Sequence, residues 1–410
     1  MISFFTISLI SAALLAQSPS RPPSGGSQAP PHTLLLDGKV LAHERDVALA
    51  HPDQPDDIVR AARAAADKAM KEGPFSVTQK SVTPPSGDKH DYMSQAPYFW
   101  PNPGTPDHLP YIRRDGERNP EISRISDHEQ ISKMSSVVRA LALGYYLTGN
   151  AQYAKRAALL LRTWFLDPAT RMNPNLEYAQ GIPGVNTGRG IGIIESRFLM
   201  SAVDGVELLE DSKNWSRADT ANLQKWFSEF LNWLQNSTHG KDESASRNNH
   251  GSFYDCQVVD FALFVGKRDL AAEIAKNAKQ KRIALQIEPD GEQPLELART
   301  KSFSYSAFNL EALTELATLS QHLDVDLWHF QTNDGRSIRR VLDYLLPYAL
   351  GEKQWTRKQI EPIKGGDLAI PLLEAGAAYK NEEYIADAKR LSSQSKDVAV
   401  LLLEKKDAGQ

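Results

Sequence analysis

From Asp127 onward the chain reads as a succession of helical patterns separated by short turn signals. The apolar spacing predicts helices near 127–148, 150–166, 189–211, 216–237, 249–265, 267–284, 302–322, 336–350, 367–379 and 382–404. Gly149-Asn150 and Tyr379-Lys380-Asn381 read as turns between antiparallel neighbours. Alternating strand patterns are scarce. Helices joined by short turns bury their apolar faces by stacking as hairpins. The expected fold is therefore all-α: an (α/α) toroid or barrel of about six to seven helical hairpins in a single large domain. No fixed sequence period marks a tetratricopeptide-type array.

The first 126 residues differ. Met1 to Ala16 form an apolar run followed by Gln-Ser-Pro-Ser, too short for a comfortable membrane span. Residues 1–18 are expected to be a signal peptide, giving a periplasmic or secreted protein with no membrane contact after cleavage. The Ser/Pro/Gly/Gln-rich stretch that follows predicts a flexible linker over 19–52, with the main domain at 53–405. Its first helix is expected between Pro55 and Lys71. Residues 84–126 are rich in proline and aromatic side chains, and a long irregular loop of that kind is usually functional.

The formal net charge of -4 gives no field for nucleic acid, so an anionic ligand needs a local basic cluster. A single cysteine, Cys256, excludes an intrachain disulfide. His90, His108 and His128 lack metal-site spacing, so neither metal nor cofactor is expected.

Two segments concentrate chemistry: Arg247-Asn-Asn-His-Gly-Ser-Phe-Tyr254 and Arg299-Thr-Lys-Ser-Phe-Ser-Tyr305. Two asparagines before a helix are by default an N-cap, and a tyrosine among phenylalanines is by default core. Here cations, amides, an imidazole and a phenol crowd together, and helix N-termini attract anions. The loop adds Tyr98, Trp100, Tyr111, Arg113 and Arg114: aromatic faces stack on sugars, and arginines clamp carboxylates. Gly188-Arg-Gly-Ile-Gly192 lacks dinucleotide-loop spacing, which leaves Asn186, Arg189, Glu195 and Arg197 as polar groups beside a cleft.

At Asp91–Pro103, Leu109–Gly116, Arg247–Gly251, Arg299 and Tyr305 the chain resembles the alginate lyase superfamily of polysaccharide lyases, over about residues 80 to 350. It looks closest to polysaccharide lyase family 38 and more distantly like family 5. The resemblance implies an α/α barrel that cleaves β-1,4-linked polyuronates such as polymannuronate or glucuronan. It implies catalytic roles for His250, Arg299 and Tyr305, with Asn186 or Asn249 as the amide. Arg189, Arg247, Asn248, Tyr254 and Lys301 join the loop residues as expected substrate contacts.

That set suits removal of a proton beside a carboxylate. Amide, imidazole and guanidinium donors stabilise the charge that develops. Nearby cations are expected to favour the Tyr305 phenolate, the base that would take the C5 proton and return it to O4. In mannuronate and glucuronate the two groups share a ring face, so one residue suffices. In guluronate they are opposed, and His250 would be base with Tyr305 as acid. A glycoside hydrolase would instead need a working pair among Asp167, Glu195, Asp255, Glu288 and Glu292. A non-catalytic polysaccharide-binding protein would keep the cleft and tolerate loss of Tyr305. The oligomeric state leaves no trace in the sequence.

Overall fold

The computed structural model describes residues 29–392 and 397–406, so the expected signal peptide lies outside the described residues. Helices dominate: α1 Gly38–Ala50, α2 Asp57–Ala69, α3 Asp127–Thr148, α4 Ala151–Leu161, α5 Leu199–Glu207, α6 Arg217–Asn236, α7 Thr238–Ser244 and α8 Asn249–Phe264. They continue as α9 Arg268–Ala278, α10 Pro294–Leu297, α11 Ser302–Gln321, α12 Ile338–Ala349, α13 Ala369–Tyr379, α14 Glu382–Ser392 and α15 Val398–Lys406.

Local chemistry sets the boundaries. Gly149 ends α3 in the left-handed conformation (φ 70°), and Asn150 then caps α4 through the amide of Gln152. Ser216 and Asp219 form a reciprocal capping box at α6. Asp219 also takes a two-pronged bond from Arg162, tying α6 to the end of α4.

Helices α3, α5, α8, α11 and α13 pack in succession as an inner ring, backed by α2 and α4, α6, α9, α12 and α14. Helix α15 packs on α13 and on α2, joining the end of the chain to its beginning. This is the expected all-α toroid of stacked hairpins. The inner helices are buried nearly all round, as ring members must be: α8 exposes little beyond His250 and Leu263.

The linker reading of 19–52 needs correction. Helix α1 occupies much of it, capped by Asp37 and packed on α3 through the buried Leu41. Just before it, the amides of Leu34, Leu35 and Leu36 all donate to the buried Asp204 carboxylate of α5. Satisfied backbone groups and the burial of Leu36 and Leu41 together hold this segment down.

The loop of 84–126 carries short strands: β1 Met93–Gln95, β2 Phe99–Trp100 and β3 Ile112–Arg113, with β4 Tyr178–Gly181 further on. Strand β1 pairs in parallel with β4, and β2 with β3 antiparallel. The fully buried ion pair Lys80–Asp127 (2.9 Å) fixes the loop at its base, where Asp127 also accepts the Met93 amide.

Candidate active site

The loop and the N-terminal ends of α8 and α11 enclose a cavity of about 1620 Å³. Tyr305 stands in the first turn of α11 and lines it. Its hydroxyl bonds the Tyr98 hydroxyl of the loop at 2.8 Å, and the Arg299 guanidinium lies 3.7 Å from its ring centroid. Burial raises the Tyr305 phenol above its ordinary value, and the Tyr98 phenol adds to this; the Arg299 charge opposes it without prevailing. The expected phenolate is therefore corrected: burial outweighs the Arg299 charge, and the phenol is raised instead of lowered. Cations favour the anion only where burial costs less than their attraction.

Arg299 is already paired. Its Nε and Nη2 grip the Asp115 carboxylate at 2.7–3.1 Å, and Asp115 also accepts the Thr300 amide at 3.0 Å. Burial would raise the Asp115 carboxyl, but these donors hold it well below the usual carboxylate range. Arg299 is thus held by Asp115 through Nε and Nη2 while its guanidinium packs on the Tyr305 ring. Gly116 makes the junction possible: its φ is 79°, and a Cβ there would lie 2.4 Å from Thr300 Oγ1.

At the start of α8, Asn248 caps the helix by accepting the His250 amide. The His250 Nδ1 lies 2.7 Å from the Glu243 carboxylate of α7, a residue only 1% exposed. A carboxylate accepts, so Nδ1 carries the proton and Nε2 is the nitrogen left for substrate. Asn249 Nδ2 donates to both carboxylate oxygens of Glu296 of α10, at 2.8–2.9 Å. Gly251 in the next turn has no room for a side chain, since a Cβ would sit 2.0 Å from the Ser246 carbonyl.

Arg189 also lines the cavity. It bonds Gln180 Oε1 at 2.8 Å and lies 5.2 Å from the Phe99 ring centroid, while its Nε is buried without a protein partner. Burial, with Arg113 nearby, lowers it to about 10. Gln180 itself holds a left-handed backbone (φ 51°), a strained conformation of the kind that gathers at functional sites. Gln95 Nε2 and Asn249 Oδ1 are likewise buried and bonded to no protein group, so the wall offers both donors and acceptors.

The sequence profile of the alginate lyase family matches residues 76–355. A crystal structure of an alginate lyase from Bacteroides ovatus superposes with TM-score 0.86 at 36% identity, covering 91% of this chain and 99% of that chain. The chain belongs to the alginate lyase family. Alginate lyase A1-III from Sphingomonas species A1 shares the fold at 18% identity, TM-score 0.57, over 90% of this chain and 97% of that one. An A1-III variant complexed with a tetrasaccharide aligns at 17% identity and TM-score 0.58, over 94% and 99%. Among curated proteins, none matches.

Of the other residues expected in this alginate lyase family site, Tyr98, Arg113, Asn248 and Lys301 line the cavity, although Lys301 pairs with Glu361. The rest fall elsewhere. Asn186 is exposed and closes a turn by accepting the Ile182 amide. Tyr254 is buried and donates to the Leu234 carbonyl, and Arg247 opens onto a different cavity. Trp100 donates to the Glu117 carbonyl beneath Arg114, and Tyr111 to Glu121, so these three stiffen the loop instead of lining the cavity. The loop is a cover whose sequence mixes wall and frame.

The carboxylates a hydrolase would need are engaged. Asp255 pairs with Arg282, Glu288 with Arg336, and Glu292 with Arg357. Asp167 caps a surface turn through Ala169. Glu195 does line the cavity, but its Oε2 accepts from both Tyr92 and Ser94. Glu311 and Glu315 line the cavity further along α11, where burial raises both. Sequence reasoning missed Glu243, Asp115 and Glu296. Each supports a motif residue from another element, and only Asp115 left a signal, in the motif Asp-Gly.

Proposed function

We propose that this polysaccharide lyase cleaves β-1,4-linked polyuronate by β-elimination, leaving a C4=C5 double bond on the new non-reducing end. One observation carries the reading: Tyr305, His250 and Arg189, whose Nε has no protein partner, share one polar cavity.

Substrate carboxylate meets Arg189 and the side-chain amide of Asn248, whose donors remain available because its oxygen is the helix cap. Those donors and the His250 Nε2 proton, when present, stabilise the enolate-like charge that forms as the C5 proton leaves. Glu243 fixes the His250 ring for this task. Tyr305 delivers a proton to the departing O4. In mannuronate or glucuronate chains the Tyr305 phenolate first takes the C5 proton, so kcat/KM climbs with pH as the raised phenol ionises.

The neutral resting state of Tyr305 and the Glu243–His250 pair favour a second reading on guluronate, with His250 as base and Tyr305 as acid. The substrate separates the two. Ultraviolet absorbance of unsaturated product is to be followed over polymannuronate, polyguluronate, glucuronan and hyaluronan. Saturated products from every polymer would show hydrolysis and end both readings. The apolar run of residues 1–16 supports action outside the cytoplasm, which N-terminal sequencing of secreted protein tests.

A further inference from the structure

A second cavity, of about 460 Å³, shares no lining residue with the catalytic one. Lys241, Arg247, Lys281 and Arg282 line it, and no carboxylate does. Arg282 is buried and fully engaged: it grips Asp255 and donates to the carbonyls of Ser244 and Ser246. The other three cations are exposed and, among the described residues, lie within ion-pair distance of no acid. Two acids close by are committed, Asp255 to Arg282 and Glu243 to His250, while the exposed Asp242 beside Lys241 lines no part of the cavity. In a chain of net charge -4, three unpaired cations around one concavity are a local arrangement, not a reflection of a basic surface. The exposed Leu285 adds an apolar wall, and Gln235 and Ser244 add polar groups. Cations, hydrogen-bonding groups and an apolar face match an anionic sugar ring.

We propose that this cavity is a second polyuronate site, holding the carboxylate of a sugar unit outside the catalytic cavity. The proposal rests on the polyuronate lyase reading above. A polymer bears a carboxylate on every ring, so a chain bound here raises the local concentration of cleavable bonds at the catalytic cavity. A short oligosaccharide that fills only the catalytic cavity gains nothing.

The test is the double variant Lys241→Glu/Lys281→Glu, both surface positions, assayed at low ionic strength on the polymer that the native enzyme cleaves and on its tetrasaccharide. The expected result is a polymer KM raised about fivefold or more. Polymer kcat and both tetrasaccharide constants stay native, and added salt erases the difference. Polymer and tetrasaccharide constants both unchanged, or both impaired alike, would overturn the site. Affinity electrophoresis of Tyr305→Phe protein, through gels containing polyuronate or a neutral glucan, reads the same site without turnover. Polyuronate alone should retard the protein, and adding the two lysine changes should weaken that retardation. If retardation follows this pattern while no polymer yields unsaturated product, the lyase reading fails and the anion site stands. Retardation unaffected by the lysine changes overturns the site.

Discussion

Tyr305 and His250 each depend on a neighbour that the sequence does not place beside them. Tyr305→Phe keeps the ring under Arg299 and removes the only proton the phenol can give. It should lower kcat by roughly 10²–10⁴-fold, with KM little changed. Retention of more than about a tenth of native kcat would make Tyr305 a packing residue. Glu243→Gln tests the support of His250. A Gln side chain can turn its NH₂ toward Nδ1, which favours the wrong tautomer, so kcat should fall at least about tenfold in steady-state assays. Native kcat would show that the ring needs no carboxylate behind it. The motif residues were legible because they crowd at two helix starts. Their supports were not, because Glu243, Glu296 and Asp115 arrive from a preceding helix, a short turn and a distant loop. The expected phenolate failed for a related reason: charge can be counted along a chain, but burial cannot.

At the scale of elements, the aromatic loop and α11 meet through Asp115. Asp115→Ala leaves Arg299 part-buried and unpaired, frees Thr300 and loosens the loop from the helix. It should cost roughly 3–5 kcal/mol if the pair behaves as buried, and less to the extent that solvent screens it. Activity should fall further than stability explains, because Arg299 also places Tyr305. Thermal melts beside kinetics at a temperature where the variant stays folded check this; a stability loss with native kcat would confine Asp115 to the fold. Helix order was readable from periodicity, yet α1 was mistaken for linker. Its hold on the ring comes from a few buried side chains, Leu36 and Leu41, and from backbone bonds to Asp204 that leave no mark in hydropathy.

The whole toroid carries an acidic interior. Asp260 of α8 is fully buried with neither carboxyl oxygen hydrogen-bonded, and burial, with Asp204, Glu315 and Glu207 nearby, raises it well above the ordinary value. A carboxyl raised in the folded state favours folding while protonated, and that contribution is lost as pH rises through the raised value. Asp260→Asn should therefore melt near native at acid pH and above native at alkaline pH. The gain should grow with pH, because only the native side chain must stay protonated or ionise in the core. Calorimetry at two pH values decides it: an equal shift at both would mean Asp260 does not titrate in the fold. Sequence periodicity showed α8 as a helix but not as an inner one, since its polar residues Ser252, Asp255, Gln257 and Asp260 are buried instead of facing solvent.

The Asp115 junction also bears on how such enzymes can be recombined. A loop that covers a cavity looks like an exchangeable module, to be traded between relatives for a new specificity. Here the loop's own carboxylate holds the arginine against the Tyr305 ring, and Gly116 gives way to Thr300. The heritable unit is the loop together with the stretch from Arg299 to Ser302. A chimera that crosses over between them inherits a lid from one parent and a displaced tyrosine from the other.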